Sequence, residues 1–557
     1  MTFLSAVHEK LVVRSVDQDG TPREVEFLDN DSIRPTRVKD RSWTQITYLA
    51  FWFSATANVS NLYAASTGMT VGLSMWEAIA CQTAGQFIAG CLMALNGRGG
   101  AMYRIPYPVL CRSSFGPWGA LWPTANRAVM SIVWNGVNTV QGAQCLYVML
   151  HAIFPSIANI PDAMGPKSAL STAGMVCFLV YWIINCAFLL VPVPKMRMYV
   201  YIKVGIFYAA AIAMVAWTVS LAGGSTHSLS QSSKIKGPEK SWMILKFIFL
   251  GTAACGTFIA NAADLQRYTR RPNDVLWGQV ISFPVSNLLV SVMGCVIAAA
   301  SESVFGELMW NPVNFLDRLM EGDRYTPANR AACFFIALGL VYSSIFSAIF
   351  ENSIPAGNDI ASLLPRYVTI KRGFFICAVL SFAICPWYLL STASVFINFL
   401  SSYQIFLSAI AGILICDYYL IRRGQLRIPD LYTMNPEGQY HFLRGWNLRA
   451  FAVYLIAVAP NFYGFLNKMG VQAPLSIQRY YYVAYPTGLL IAFSCYSAIC
   501  YFLPPEGMER SNGWKEPEDY IDEFDRAGEG LRGIEGIEVG EHGHVVETTE
   551  KVEKPWA

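Results

Sequence analysis

The chain has 557 residues, of which 54% are hydrophobic and 14% are charged. Soluble globular proteins carry about 25% charged residues, so the composition excludes a soluble multidomain protein. It also excludes disordered chains and disulfide scaffolds, because the apolar content is too high and no short cysteine framework is present. A polytopic membrane protein is the class that remains.

Charge divides the chain into three parts. Residues 1–42 are polar, mixed in charge and unlike a cleavable signal peptide. Residues 504–557 contain 15 acidic and 6 basic residues, and this Gly- and Glu-rich composition predicts a disordered tail. We therefore expect an N-terminal cytosolic tail (1–42), a membrane-embedded body (43–503) and an acidic cytosolic tail (504–557).

A bilayer core needs about 20 apolar residues per helix. Twelve stretches are long enough, and we number them span 1 to span 12: 44–73, 75–95, 121–153, 170–191, 198–221, 241–263, 277–301, 331–352, 373–393, 395–421, 448–466 and 482–503. An even number places both termini on one side of the membrane. The loops on that side carry 16 Lys and Arg residues against 9 in the opposite loops, so both termini are predicted to be cytoplasmic. The predicted fold class is an all-α polytopic membrane protein.

Spans 1 and 3 carry amide side chains in mid-membrane, where polar groups are costly and mark cavities or pathways. Span 1 contains Asn58 and Asn61, poor helix formers, so an unwound segment there could present backbone oxygens to a cation. In span 3, Trp134, Asn138 and Gln141 share one helical face. An indole beside amides suits a flat heterocycle, which stacks on the ring while the amides bind its edge. Hydrogen bonding between helices is the alternative for both spans.

Span 6 combines small residues with a charged end. Gly251 and Gly256 permit a break of the helix in mid-membrane. Asp264 and Arg267 follow near its inner end at i and i+3, as expected of an ion pair or a gate. A helix-end pair at the membrane interface is the alternative.

Span 8 carries Ser343, Ser347 and Glu351 four residues apart on one helical face. Two hydroxyls and a carboxylate in that position could carry Na⁺ or H⁺. Alternatively, Glu351 extends to the inner interface. Pro355 and Gly357 are expected to end the helix.

Nothing in the sequence indicates an enzyme, a bound cofactor or a metal site. The Gly-rich segment 97–100 lacks the Lys and Ser/Thr of a phosphate loop, and the six His residues lack metal-ligand spacing. No basic cluster interleaved with aromatic residues points to nucleic acid. Uptake of a small molecule through the lipid bilayer, driven by an ion gradient, is the function that remains.

Several motifs resemble those of one transporter family: residues 28–35 with Arg41 and Trp43, RSSFG at 112–116, NAAD at 261–264, WNP at 310–312 and AGND at 356–359. Over roughly residues 28–433 the chain resembles nucleobase-cation-symport family one, in its fungal uracil/allantoin/uridine permease branch. That branch also includes thiamine and nicotinamide riboside transporters. The resemblance implies a leucine-transporter-like fold of two inverted five-helix repeats, spans 1–5 and 6–10, plus two helices, with substrate beside the broken spans 1 and 6.

The resemblance also implies roles for individual residues. In the family, a Trp on the third helix stacks on the substrate and an amide four residues later binds its edge; these positions are Trp134 and Asn138. The family's substrate-binding Asn on the eighth helix matches Asn352, and its cation-site hydroxyl five residues earlier matches Ser347.

Three positions depart from the family pattern. Asn138 replaces the usual Gln, Cys255 stands where many members have an aromatic residue, and Glu351 stands where a small residue is common. Together these changes predict a roomier and more acidic pocket.

Three functions follow. The first is a plasma-membrane symporter that couples H⁺ or Na⁺ to the import of a neutral heterocycle such as uracil, allantoin or uridine. The second is the same fold carrying a cationic heterocycle such as thiamine or nicotinamide riboside, with a carboxylate on span 8 as its counter-ion. The third is a non-transporting nutrient receptor. The expected site consists of Trp134, Asn138, Asn352, Asn58 and Glu351 for substrate, Ser347 and Ser343 for the cation, and Asp264 and Arg267 for gating.

Overall fold

The structure is a computed structural model and describes residues 11–16, 22–24, 27–29, 33–165, 167–191, 196–224, 231–506, 513–517, 537–539 and 545–547. Two short antiparallel hairpins pair Arg14–Val16 with Pro22–Glu24 and Ile537–Val539 with Val545–Glu547. The prediction of a disordered C-terminal tail falls largely on residues outside the described part. All other regular structure among the described residues is helical.

Each predicted span has a helical counterpart. The bounds are Gln45–Thr56, Val59–Ala64 and Thr67–Thr70 (span 1); Met75–Asn96 (span 2); Leu121–Ile153 (span 3); Thr172–Phe188 (span 4); Arg197–Leu221 (span 5); Gly237–Ala254, Gly256–Ala260 and Ala262–Gln266 (span 6); Asp274–Trp277, Gly278–Ser282 and Phe283–Phe305 (span 7); Pro327–Ser347, Ala348–Ser353 and Ile354–Leu363 (span 8); Ile370–Ala383 (span 9); Ala393–Ser402, Gln404–Cys416 and Asp417–Ile421 (span 10); Leu448–Lys468 (span 11); and Ala484–Phe502 (span 12).

Short helices occupy several of the connections. They are Val38–Asp40, Arg98–Tyr103, Tyr107–Phe115, Pro155–Asn159, Pro312–Arg318, Gly322–Arg324, Pro386–Leu390, Ile428–Tyr432 and Leu475–Tyr481. Within the part of the chain that the structure describes, seven helical stretches, in spans 2, 5, 7, 8, 10, 11 and 12, are long and apolar enough by themselves to cross a membrane. The other five spans are interrupted (1 and 6), short (4 and 9) or rich in polar side chains (3).

Span 1 breaks between Thr56 and Val59, as its asparagines predict. Asn58 has an extended backbone, and its Oδ1 caps the following helix by accepting a hydrogen bond from the Asn61 backbone N–H at 2.9 Å. Asn61 Nδ2 donates to the Thr56 carbonyl at 3.0 Å. The two amides therefore satisfy backbone groups on either side of the break, while other carbonyls at the helix end remain available to side chains.

Span 6 breaks at Cys255, where the helix Gly237–Ala254 ends and Gly256–Ala260 begins. The carbonyl of Ala254 accepts a hydrogen bond from the Tyr403 hydroxyl at 3.1 Å. Span 10 thus contacts the broken segment of span 6 through this hydrogen bond.

The prediction that Pro355 and Gly357 end span 8 is wrong, because the helix continues to Leu363. Proline normally clashes with the carbonyl four residues earlier. Here the chain widens into a π-helical turn over Ala348–Ser353 just before the proline, and the wider turn relieves that clash. Within this turn the Ser353 hydroxyl donates to the Ala348 carbonyl at 3.2 Å.

Glycines allow the spans around the two breaks to touch backbone to backbone. A Cβ added at Gly85 would lie 2.1 Å from the carbonyl oxygen of Ile248, so spans 2 and 6 meet without an intervening side chain. A Cβ at Gly294 would lie 1.5 Å from the Leu62 carbonyl oxygen, and span 7 meets span 1 in the same way. Spans 1, 2, 6 and 7 therefore form a tightly packed bundle that holds both breaks.

Candidate functional site

A cavity lies where the breaks of spans 1 and 6 face spans 3, 8 and 10. Five of the predicted substrate residues line it together: Asn58, Trp134, Asn138, Glu351 and Asn352. These residues are up to 294 positions apart in sequence, and the inverted packing of the spans brings them to one place.

One wall of the cavity is aromatic. The Trp134 ring packs against Phe399 with their centroids 5.3 Å apart, and Phe396 and Leu400 continue this wall. Trp134 is half-buried, so part of its ring faces the cavity. Such a surface suits stacking of a flat ring.

Two amides stand beside that wall. Asn138 is buried, and its Oδ1 lies 3.5 Å from the hydroxyl of Ser60. Asn352 is also buried, and its Nδ2 has no hydrogen-bond partner in the described part of the chain. A buried amide without a partner costs free energy, and a ligand with a carbonyl edge would satisfy it.

Gln141, predicted to share the face of Trp134, has a structural role instead. Its Nε2 donates to the Ser60 hydroxyl at 2.6 Å and also to the Tyr63 hydroxyl. It joins span 3 to span 1 and does not line the cavity.

Glu351 has a charged partner that the sequence pattern did not predict. Lys203 of span 5 donates from Nζ to Glu351 Oε1 at 3.1 Å, and both side chains are buried. Asn58 Nδ2 donates to the other carboxylate oxygen, Oε2, also at 3.1 Å. Lys203 is a charged residue within the apolar run 198–221, and this was the signal that could have revealed it.

Protein donors take the backbone oxygens at the break of span 1. Lys203 Nζ donates to the Ser54 carbonyl at 2.8 Å, and the Ser343 hydroxyl donates to the Ala57 carbonyl at 2.6 Å. Ser347 lies one helical turn further along span 8 and is fully buried. Of the two predicted cation residues, Ser343 therefore contacts the break, and the positive charge found there is the ammonium group of Lys203.

The predicted partner of Asp264 is different in the structure. Asp264 pairs with Arg127 of span 3, whose guanidinium also binds Asp359 of span 8, with Nε 2.6 Å from Asp359 Oδ2. The Tyr107 backbone N–H donates to Asp264 Oδ1 at 2.7 Å. Arg267 lies over the ring of Tyr268, with 4.9 Å from its guanidinium carbon to the ring centroid. Local spacing could indicate only the pair of Asp264 and Arg267 at i and i+3, because Arg127 belongs to another span.

Several residues of the cavity were not predicted. Gln82 and Gln86 of span 2 and Asn287 of span 7 line it, together with Trp52 and Phe258. Among the described residues, no group of three or more His, Cys, Asp or Glu side chains could hold a metal ion.

A bundle with two broken helices that meet at a mid-membrane cavity defines a secondary transporter of the inverted-repeat class. A family model described as a permease for cytosine/purines, uracil, thiamine and allantoin matches residues 35–488. The chain belongs to this permease family.

Individual relatives agree with this assignment. The uridine permease of Saccharomyces cerevisiae is 34% identical over 525 residues, which cover 92% of this chain and 82% of that protein. An uncharacterized permease of Schizosaccharomyces pombe is 36% identical over 485 residues, covering 87% of this chain and 82% of that protein. The solved structure of Mhp1, a nucleobase-cation-symport-1 family transporter in a closed conformation with bromovinylhydantoin bound, has a TM-score of 0.65 at 23% identity and covers 86% of this chain and 96% of that chain. The predicted family and fold class are confirmed.

Proposed function

We propose that this protein is a secondary active symporter that imports a neutral nucleobase-related heterocycle, such as uracil or uridine. The observation that carries the proposal is the cavity itself, where the Trp134 ring stands beside the buried amides of Asn138 and Asn352. A planar ring stacks on the indole, and its carbonyl and N–H edge pairs with the amides. The names of the relatives, which include uridine, allantoin and uracil permeases, point to the same substrate class.

The coupling ion in this proposal is the proton. The carbonyl oxygens of Ser54 and Ala57, which a broken helix could offer to Na⁺, already accept hydrogen bonds from Lys203 and Ser343. The pair of Lys203 and Glu351 can instead accept a proton on the carboxylate. Protonation from outside neutralises Glu351 and opens the ion pair, and release of the proton inside re-forms it. Ser347 stands beside this pair as a positioning hydroxyl.

The alternative of a cationic substrate rested on Glu351 as a free counter-ion, and the structure does not support that role. A counter-ion for thiamine must be free to face a positive charge, but Glu351 is already neutralised by Lys203 at 3.1 Å. A second cation there would lie close to the ammonium group of Lys203, and in a buried site that repulsion is strong. A measurement of uptake distinguishes a transporter from the alternative, a non-transporting receptor.

We assign gating to the charged network of Arg127, Asp264 and Asp359, at the end of spans 3, 6 and 8 near the N-terminal segment. Arg127 ties span 3 to Asp264 of span 6 and Asp359 of span 8, so the three spans are closed on that side. Arg267, stacked on Tyr268, lies at the same end. Opening toward the cytosol requires this network to separate, with both termini cytoplasmic and the protein in the plasma membrane.

Uptake measurements in yeast cells that lack their own pyrimidine permeases test the proposal. Radiolabelled uracil and uridine are offered at acidic and at neutral external pH, with and without a protonophore, and with Na⁺ replaced by K⁺. We expect uptake that rises at acidic pH, falls with the protonophore and is indifferent to Na⁺. Binding without accumulation would instead support the receptor, and Na⁺ dependence would overturn proton coupling.

A further inference from the structure

Two lysines line a second, small cavity between spans 6, 10, 11 and 12. Lys246 belongs to the first helix of span 6, and Lys468 is the last residue of the helix of span 11. The polar and aromatic residues that complete the lining are Ser401, Gln404, Tyr481 and Tyr482. This lysine cavity shares no lining residue with the cavity at the two helix breaks, so it is a separate feature of the molecule.

Aromatic rings are the partners that the two ammonium groups have in this cavity. Lys246 Nζ lies 5.3 Å from the centroid of the Tyr482 ring, and Lys468 Nζ lies 6.0 Å from the centroid of the Tyr481 ring. A ring face attracts a cation but does not neutralise its charge. The charge of Lys468 acts on Lys246, so the two ammonium groups repel each other across the cavity.

No carboxylate among the described residues forms an ion pair with either lysine. Glu239, in the first turn of span 6, is the acidic residue whose charge acts on Lys246. Its carboxylate already pairs with Arg479, with 3.1 Å between Oε2 and Nη2. The lysine cavity therefore carries positive charge that the described side chains leave uncompensated, and partly buried charges are normally paired.

The neutral polar groups of the cavity are bonded to the protein. The Tyr481 hydroxyl donates to the Ser401 carbonyl at 2.8 Å, and the Ser401 hydroxyl donates to the Asn398 carbonyl at 3.0 Å. Gln404 Nε2 donates to the Tyr481 carbonyl at 3.5 Å. These bonds hold span 10 against the turn that precedes span 12, so the cavity has a fixed frame and its ammonium groups are the donors that a ligand would meet.

The surroundings place the lysine cavity near a membrane interface. Trp242 lies beneath the guanidinium of Arg479, with 5.5 Å from the guanidinium carbon to the ring centroid, and such aromatic residues are typical of the head-group region. The apolar side chains of Met469 and Leu475, which follow Lys468 in the chain, are exposed. Basic pockets between transmembrane helices at this depth suit the phosphate of a lipid head group.

We propose that Lys246 and Lys468 bind a phosphate group, either the phosphodiester of a membrane lipid or free inorganic phosphate. The oxygens of one phosphate accept hydrogen bonds from both ammonium groups, and its negative charge removes their repulsion. The bound group ties the first half of the broken span 6 to the end of span 11. This site goes beyond the proposed function, since it takes no part in binding the transported heterocycle.

Thermal unfolding of the purified full-length protein tests the site. The melting temperature is measured in detergent, in gluconate buffer with and without millimolar inorganic phosphate at equal ionic strength. We expect phosphate to raise it by about 2 °C in the unmodified protein, and by none in Lys246→Met or Lys468→Met. In gluconate alone, both variants should melt no lower than the unmodified protein, because each removes the repulsion. Lys167→Met, at an exposed lysine between spans 3 and 4, is the control and should keep the shift.

Native mass spectrometry distinguishes the two sources of phosphate. If a lipid is the occupant, the unmodified protein retains one more phospholipid than Lys246→Met, and the phosphate shift appears after detergent washing has removed that lipid. If free phosphate is the occupant, the lipid counts are equal and the shift needs no washing. Equal lipid counts, together with a phosphate shift that is the same in unmodified protein and Lys246→Met before and after washing, would overturn the site. Neither measurement depends on transport, so this result would leave the proposed function standing.

Discussion

The buried pair of Lys203 and Glu351 makes the sharpest prediction. In the unmodified protein the ammonium group of Lys203 lies 3.1 Å from the Glu351 carboxylate. Glu351→Gln removes this carboxylate and leaves the ammonium group buried without an acidic partner. Removing one member of a buried ion pair costs about 3–5 kcal/mol, because the remaining charge is left uncompensated. The amide also mimics the protonated carboxyl permanently. We therefore expect a lower melting temperature in detergent, together with uptake that no longer responds to external pH or to a protonophore.

Three further variants separate coupling from stability. The double variant Lys203→Met with Glu351→Gln removes both charges, so it should recover most of the lost stability while transport stays uncoupled. Lys203→Met alone leaves the carboxylate unpaired and should destabilise as Glu351→Gln does. Glu302→Gln breaks the exposed pair of Glu302 with Lys234, where the loss should be about 0–1 kcal/mol, and serves as the control. Uptake by Glu351→Gln that keeps the pH and protonophore response of the unmodified protein would refute proton coupling through this pair.

Three other predictions concern the substrate, the gate and the tail. Trp134→Ala should raise the Michaelis constant for uracil about tenfold with surface expression intact, and Asn352→Ala should do so by a similar factor, both measured by uptake kinetics. Arg127→Met should destabilise the detergent-solubilised protein by about 3–5 kcal/mol, since it strands two buried carboxylates, and thermal unfolding measures this. Glu516 binds Arg98 Nη2 at 2.7 Å and the Tyr418 hydroxyl at 2.7 Å, so Glu516→Gln should speed tryptic cleavage at the adjacent Lys515.

Local patterns in the sequence predicted the residues that share a helix face. Trp134 and Asn138 are four positions apart, and a helix places residues at this spacing on the same face. The break in span 1 was predictable for the same reason, because Asn58 and Asn61 favour caps over helix interiors. Asn352 was carried over from the family resemblance, and the structure places it in the same cavity.

Partners from distant spans could not be predicted in this way. Arg127 lies 137 positions from Asp264 and 232 from Asp359, and no periodicity relates such positions. Lys203 is a similar case. Its position within an apolar run indicates that the charge has a specific role, but it does not identify Glu351 as the partner. Continuation of span 8 beyond Pro355 was missed because a π-helical turn leaves no simple residue pattern.

Span 8 carries residues of the three groups to which we assign proton coupling, substrate binding and gating. Glu351, which pairs with Lys203, is followed directly by Asn352 of the cavity, and Asp359 of the charged network follows seven residues later. The wide turn Ala348–Ser353 contains the first two of these residues, so a change in its winding shifts the carboxylate and the amide together. In the proposed function, protonation of Glu351 would remove the attraction of Lys203 for this turn, and substrate would engage Asn352 on the same turn. The helix Ile354–Leu363 continues from this turn and carries Asp359, which binds Arg127, so a displacement of the turn would move the proposed gate. The proposed coupling of proton, substrate and gate therefore involves one helix and requires no longer pathway across the bundle.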